Sequence, residues 1–200
     1  MEGNTKASQH DLAFNERLKG AYAAKEDGTT ALNAGKLREA IFYYKKGCMY
    51  LGEYISITQR RCSDAFVDML VDRQNVHTRP SLSAERLKEV NNLYVALRNN
   101  MAHVSLKMDR YSDAVEFATM VLSISGYEKN TKALLRRAKG LAYMGDLEGA
   151  EKDLNSLECY AAEGSTGVDP MVGDLRRFVA KKRRDDDRKD QEMCRKMFKS

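Results

Sequence analysis

The 200-residue sequence contains no tryptophan, only two prolines and no apolar run near the roughly 20 residues needed to span a bilayer. Because proline breaks helices and aromatic side chains favour strands, two prolines and an aromatic fraction of 8% favour a mostly helical chain. The first 30 residues are polar and charged and lack the apolar block of a secretory signal. These absences predict no membrane segment and a cytoplasmic location, with the nucleus as the alternative.

The sequence also lacks the patterns of metal and catalytic sites. The cysteines are scattered, with no C-x-x-C pair and no neighbouring histidine, at Cys48, Cys62, Cys159 and Cys194. This spacing supports neither zinc nor a disulfide framework, so we expect reduced, mostly packed thiols and no cofactor. No G-x-S-x-G, phosphate-binding glycine loop or H-E-x-x-H occurs, and His103 is expected to pack at or face a repeat interface. The sequence therefore predicts a non-enzymatic protein.

The net charge of +5 is concentrated at the C-terminus. Residues 175–200 hold 11 Lys/Arg and 5 Asp/Glu, which leaves 23 against 24 in the other 174 residues. The chain is thus a near-neutral body with a basic tail. Aromatic residues do not interleave with the basic ones, so nucleic acid is not an expected partner.

Three segments share one pattern: a small residue, a turn residue seven positions later, a large residue two further on, and an alanine three beyond that. The segments are Gly28-Gly35-Leu37-Ala40, Ala102-Asp109-Tyr111-Ala114 and Ala138-Gly145-Leu147-Ala150. The small residues suit close helix contacts, and the turn residues suit a chain reversal. The pattern therefore predicts antiparallel helix pairs, and it resembles the tetratricopeptide repeat, a 34-residue helix–turn–helix unit.

The resemblance implies an all-α, right-handed superhelix of three repeats with a helical insertion and a long C-terminal capping helix. We place a flexible N-terminus at 1–14 and a repeat domain at 15–160. Within the domain, repeat one lies at about 21–54, the insertion at about 55–94, repeat two at about 95–128 and repeat three at about 131–160. The basic capping helix occupies 170–200, where Leu175, Phe178 and Val179 can cover the open end of the stack.

The segment between repeats one and two allows two interpretations. Either the second helix of repeat one is overlong, or a further helix follows it and reaches about residue 74. Pro80 then marks a stop, and Ser83 is the expected N-cap of a long helix that runs up to Met108.

The first helices of stacked repeats line a concave groove, where side chains can bind a peptide. Lys25 and Thr29 are four residues apart and share a helix face, as do Lys132 and Arg136, while Asn100 lies on the first helix of repeat two. In repeat register these positions resemble the carboxylate clamp of tetratricopeptide domains. The resemblance implies binding of the acidic Glu-Glu-Val-Asp terminus of heat-shock chaperones of the seventy- or ninety-kilodalton class. Thr29 departs from the family, which has asparagine there.

The segments 100–108 and 130–138 narrow the resemblance to the repeat domain of large FK506-binding immunophilins. The sequence is equally similar to the aryl-hydrocarbon-receptor-interacting protein group and to the tetratricopeptide repeat protein 9 family. With only about 15 residues ahead of the repeats, we expect no isomerase domain and predict a stand-alone co-chaperone or adaptor. The alternative is a scaffold, or a binder of calmodulin or another acidic partner, that uses the insertion or the basic C-terminal helix and has a non-functional clamp.

Overall fold

The computed structural model describes residues 2–55, 82–163 and 170–197. This part of the chain contains seven helices and no strand, which confirms the predicted all-α class. The helices are α1 (Glu2–Asn33), α2 (Leu37–Leu51), α3 (Ala84–Lys107), α4 (Tyr111–Leu122), α5 (Thr131–Met144), α6 (Leu147–Glu163) and α7 (Pro170–Met197).

The helices stack in chain order as three pairs followed by a single helix. Each of α1 to α6 packs against the next helix, and α7 packs against α6 and α5. The first helices of the pairs also meet, since α1 contacts α3 and α3 contacts α5. This arrangement is the predicted superhelix of helix pairs, and it places α1, α3 and α5 side by side.

The turns inside the three pairs fall at the positions that the repeat pattern predicted. Gly35, Asp109 and Gly145 have φ values of 75°, 56° and 95°, so all three are left-handed. Glycine adopts this conformation without steric cost, and aspartate tolerates it better than most residues. The Tyr111 hydroxyl donates a 2.7 Å hydrogen bond to the Asp109 carboxylate.

The small residues of the pattern lie where helices approach closely. The alanines at 40, 102, 114, 138 and 150 are all completely buried. Gly28 is the most constrained small residue, because a Cβ atom added there would lie 2.6 Å from Cε1 of the buried Tyr44 ring. The contact between α1 and α2 therefore requires the absence of a side chain at residue 28.

The structure decides between the two interpretations of the segment after repeat one. Helix α2 ends at Leu51 with Gly52 as its C-cap, and the Tyr54 amide donates to the Leu51 carbonyl in the following turn. The overlong-helix interpretation is therefore wrong. The alternative, a further helix reaching about residue 74, lies outside the described residues. Ser83 caps α3 as predicted by accepting from the Arg86 amide, and α3 continues to Lys107.

The expected flexible N-terminus differs from the structure. Helix α1 begins at Glu2 and runs without a break into repeat one. Phe14 is only 4% exposed and packs edge-on against Tyr54, with the Arg86 guanidinium 5.1 Å from its ring centroid. Asp11 forms an ion pair with Arg86. These contacts attach residues 11–14 to the repeat domain, so a boundary at residue 15 is incorrect.

Helix α7 covers the end of the stack, as predicted. Val172, Leu175 and Val179 are buried in the core of repeat three, and Phe178 stacks on Tyr143 with ring centroids 5.0 Å apart. The Lys182 ammonium donates a 2.8 Å hydrogen bond to the Ala142 carbonyl near the C-terminal end of α5. From residue 187 to 197 the helix is exposed throughout.

The expectation of mostly packed thiols is only partly correct for the described cysteines. Cys48 is buried, and burial raises the pKa of its thiol to about 11. Cys159 and Cys194 are exposed because they lie on the outer faces of α6 and α7. Cys62 lies outside the described residues.

The Gly28 contact gives a stability prediction. We expect Gly28→Ala to lower the free energy of unfolding by about 1–3 kcal/mol, because the new methyl group overlaps the Tyr44 ring. Gly173→Ala is the matched control, since a Cβ there meets no atom within 4 Å and alanine favours helix by up to about 1 kcal/mol. Urea denaturation measures both. A Gly28→Ala protein as stable as the parent would contradict the close packing of α1 on α2.

Candidate functional site

The five candidate side chains occupy one arc of the first helices. Alignment of α1, α3 and α5 on Gly28, Ala102 and Ala138 puts Asn100 and Arg136 two residues before the buried alanine. Lys25 is three residues before Gly28, Thr29 one after it, and Lys132 six before Ala138. At 3.6 residues per turn these positions span an arc of about 100°. We call the surface formed by Lys25, Thr29, Asn100, Lys132 and Arg136 the clamp face.

On α1, the threonine hydroxyl of the clamp face is engaged within its own helix. Thr29 Oγ1 donates a 2.9 Å hydrogen bond to the Lys25 carbonyl and lies 3.3 Å from Tyr44 Oη. Thr29 is exposed and Lys25 is half-buried. The hydroxyl donor that the clamp hypothesis assigns to a ligand is therefore already used in this conformation.

On α3, two adjacent asparagines have different roles. Asn99 is buried, and its Nδ2 donates a 3.3 Å hydrogen bond to Asn130 Oδ1. The same Asn130 oxygen accepts from the Ala133 amide and caps α5. Asn99 thus connects repeat two to repeat three, whereas the half-buried Asn100 lies on the arc of the clamp face.

Two adjacent arginines on α5 also differ. Arg137 forms two hydrogen bonds of 2.8 and 2.7 Å to the carboxylate of Asp153, a residue only 3% exposed. Arg136 forms no ion pair with a described residue, and its Nη1 atom is buried without a hydrogen-bond partner. Burial lowers the pKa of Arg136. A buried guanidinium N–H without an acceptor is costly, so the fold itself does not satisfy this arginine.

The clamp face has cationic neighbours that sequence reasoning missed. Burial lowers the pKa of the half-buried His103, and the positive charges of Arg136, Lys107 and Lys139 lower it further. His103 and Lys139 each follow the buried alanine of their helix by one residue, which is the position of Thr29 in α1. The repeat register could have identified both. His103 belongs to α3, and the charges of Arg136 and Lys139 on α5 act on it.

Positive charge on this face is not neutralised from within α3 or α5. Helix α5 contains no Asp or Glu, and residues 90–107 of α3 contain none either. In the ranges that the structure covers, no hydrogen bond joins the α1 residues of the clamp face to those of α3 or α5. Helix packing alone places these residues on one arc, and the charged side chains among them are all cations.

The described residues contain no candidate metal site. Within 2–55, 82–163 and 170–197, no three His, Cys, Asp or Glu side chains are grouped so as to hold a metal ion. No helix in these ranges combines the length and apolar character required to cross a membrane.

Comparisons with curated proteins give relatives among the prolyl isomerases, although no family model matches the chain. It is 26% identical over 160 residues to the peptidyl-prolyl cis-trans isomerase FKBP42 of Arabidopsis thaliana, covering 78% of this chain and 36% of that protein. It is 26% identical over 147 residues to the isomerase FKBP4 of Mus musculus, covering 74% and 26%. The chain thus spans only 26% to 36% of the length of these relatives.

Comparison with solved structures identifies the fold. The C-terminal TPR-containing domain of an FK506-binding protein from Plasmodium falciparum matches with a TM-score of 0.64 and 20% identity. The match covers 88% of this chain and 95% of that domain. The chain therefore belongs to the class of tetratricopeptide-repeat folds. Within this class it is similar to the repeat domains of FK506-binding proteins, as the sequence pattern predicted.

The two arginines of α5 give a stability prediction that distinguishes a structural residue, Arg137, from a candidate binding residue, Arg136. We expect Arg137→Met to lower the free energy of unfolding by about 3 kcal/mol, because it leaves the buried Asp153 carboxylate without a partner. Arg136→Met removes an unsatisfied buried N–H, so we expect stability to be unchanged or higher by up to about 1 kcal/mol. Chemical denaturation of both variants measures the contrast, and equal losses would show that Arg136 is a structural residue.

Proposed function

We propose that this protein is a non-enzymatic adaptor that binds the acidic C-terminal peptide of a heat-shock chaperone on its clamp face. The observation that carries the proposal is the buried, unpartnered Nη1 of Arg136 on a helix without acidic residues. The adjacent Arg137, by contrast, is paired with a carboxylate of the protein itself, that of Asp153. Arg136 and its neighbours therefore suit a carboxylate that arrives from outside the chain.

A peptide that ends in aspartate presents the matching chemistry. Its last residue carries an α-carboxylate and a side-chain carboxylate, and both are costly to desolvate unless cations and donors meet them. In the proposed complex Lys25 contacts one carboxylate, Lys132 and Arg136 contact the other, and Asn100 donates a neutral hydrogen bond. The cytosolic location of such chaperones is consistent with the predicted cytoplasmic location of this protein.

Calorimetric titration with a Glu-Glu-Val-Asp-ending peptide tests the proposal. We expect a Kd near the micromolar range, about −8 kcal/mol of binding free energy. The same peptide with an amidated C-terminus has lost the α-carboxylate and should bind at least about tenfold more weakly, because a charged hydrogen-bond acceptor is missing. Equal affinity for the two peptides, or no heat at millimolar peptide, would reject the clamp.

Charge reversal assigns binding to α5. We expect Lys132→Glu and Arg136→Glu each to abolish peptide binding, because each replaces an attraction with a repulsion at the bound carboxylates. Lys45→Glu is the matched control, since Lys45 is an exposed lysine on α2, the second helix of its pair. Binding that survives both α5 variants would place the peptide elsewhere.

Thr29 gives a prediction in the opposite direction. Its hydroxyl already donates to the Lys25 carbonyl, whereas an asparagine side chain reaches further and offers two amide donors. We expect Thr29→Asn to tighten peptide binding by about 1 kcal/mol, the net value of one added hydrogen bond. The matched control is Thr30→Asn at the next exposed position of α1. An unchanged Kd would mean that residue 29 does not contact the peptide.

The alternative partner site, the basic C-terminal helix, has less support. Half of its ten cations pair with nearby acids: Arg176 with Glu158, Arg183 with Glu151, and Arg177, Arg188 and Lys189 with acids one turn earlier in α7. Alternating charge of this kind is typical of a solvated helix. Binding of calmodulin or another acidic partner at α7 with an inactive clamp is therefore the second candidate.

A further inference from the structure

We propose that His103, Lys107 and Lys139 form a second anion subsite beside the clamp face, which binds an acidic side chain upstream of the last peptide residue. This inference rests on the proposed function and names a specificity determinant for it. The peptide it selects carries glutamate or aspartate before its terminal residue, and its affinity depends on pH.

The three side chains share the arc of the clamp face. His103 follows the buried Ala102 by one residue and Lys107 by five, while Lys139 follows the buried Ala138 by one. On helices with 3.6 residues per turn, these offsets fall within the arc that also contains Asn100 and Arg136. The subsite is therefore continuous with the clamp face.

The spacing suits an extended peptide. His103 lies three residues after Asn100 on α3, and Lys139 lies three residues after Arg136 on α5. At a rise of 1.5 Å per residue, the two pairs are about 4.5 Å apart along the helix axes. An extended peptide advances about 3.3–3.6 Å per residue. A side chain one or two residues before the C-terminal aspartate can reach the subsite while the terminal carboxylates remain at the clamp face.

The charges of the subsite have no counter-ion on α3 or α5. The groups that act on His103 are Arg136, Lys107 and Lys139, and all of them are cations. Neither α5 nor residues 90–107 of α3 supply an acidic residue. The acid on the corresponding arc of α1 is the exposed Glu26, which is not among the groups that act on His103. An incoming carboxylate would relieve the repulsion among these cations.

The histidine makes the subsite titratable. In the free protein, burial and the neighbouring cations hold the pKa of His103 below its usual 6.5, so the imidazole is neutral at pH 7. A bound carboxylate favours the imidazolium and raises that pKa, so peptide binding takes up a proton. Affinity must therefore rise as the pH falls through the pKa of the bound state. The peptide carboxylates, with reference pKa values near or below 4.3, stay ionised above about pH 5.5.

A double-mutant cycle between peptide and protein tests the subsite. Calorimetry compares the Glu-Glu-Val-Asp-ending peptide with versions in which either Glu is replaced by Gln. We expect one replacement to weaken binding to the parent protein about five- to tenfold. With His103→Gln or Lys107→Gln the same replacement should cost less than about twofold, because the partner is gone. Lys45→Gln, the α2 control, should keep the full effect.

The pH dependence is the second measurement. We expect the parent protein to bind the peptide about three- to tenfold more tightly at pH 5.5 than at pH 7.5, and His103→Gln to lose this dependence. NMR titration of the His103 ring protons, assigned by their absence in His103→Gln, should show a pKa that rises on peptide binding. The pKa shift itself is measured on the parent protein, and the variant spectrum serves only to assign the resonance.

The outcomes separate this inference from the proposed function. Amidation-sensitive binding whose Glu→Gln losses are the same in the parent and in both variants, with no shift of the His103 pKa, would overturn the subsite and leave the clamp in place. Absence of amidation-sensitive binding would overturn both.

Discussion

Close contact between the two helices of each pair is the constraint on which the rest of the structure depends. At Gly28 the ring of Tyr44 occupies the space that a side chain would need. The other two pairs also have small residues at their helix contacts, the completely buried Ala102, Ala114, Ala138 and Ala150. Interiors are close-packed, so these small residues fix how each first helix is rotated about its axis. That rotation decides which residues of α1, α3 and α5 face outwards together.

The clamp face follows from this packing and from the different contacts of neighbouring side chains. Asn99 and Arg137 are used internally, where they join repeat two to repeat three and α5 to α6. Asn100 and Arg136, one position away along the backbone and about 100° around the helix, lie on the outward arc. Arg136 keeps a buried N–H without a partner, and a protein that only needed stability would gain by replacing it. An arginine that the fold leaves unsatisfied in this position is consistent with the proposed anion-binding role.

The C-terminal helix closes the stack and limits where a partner can bind. Val172, Leu175 and Val179 cover the apolar surface of the last pair, and Lys182 satisfies a carbonyl near the end of α5. Half of the basic residues of this helix are paired with acids of α6 and α7. By contrast, α5 and residues 90–107 of α3 contain no acidic residue that could pair with their cations.

The sequence by itself determined the all-α class, the three turns at Gly35, Asp109 and Gly145, and the cap at Ser83, because each depends on local spacing and backbone preference. It also indicated the five residues of the clamp face, through a repeat register that the small buried residues carry. Only the tertiary structure decided that Phe14 anchors the N-terminal helix, because its partners Tyr54 and Arg86 are distant in sequence. The same holds for Arg136 and Arg137, whose identical chemistry is distinguished only by Asp153 on the neighbouring helix. The cluster around His103 is likewise a property of two packed helices, since electrostatic environment depends on distances between residues more than 30 positions apart.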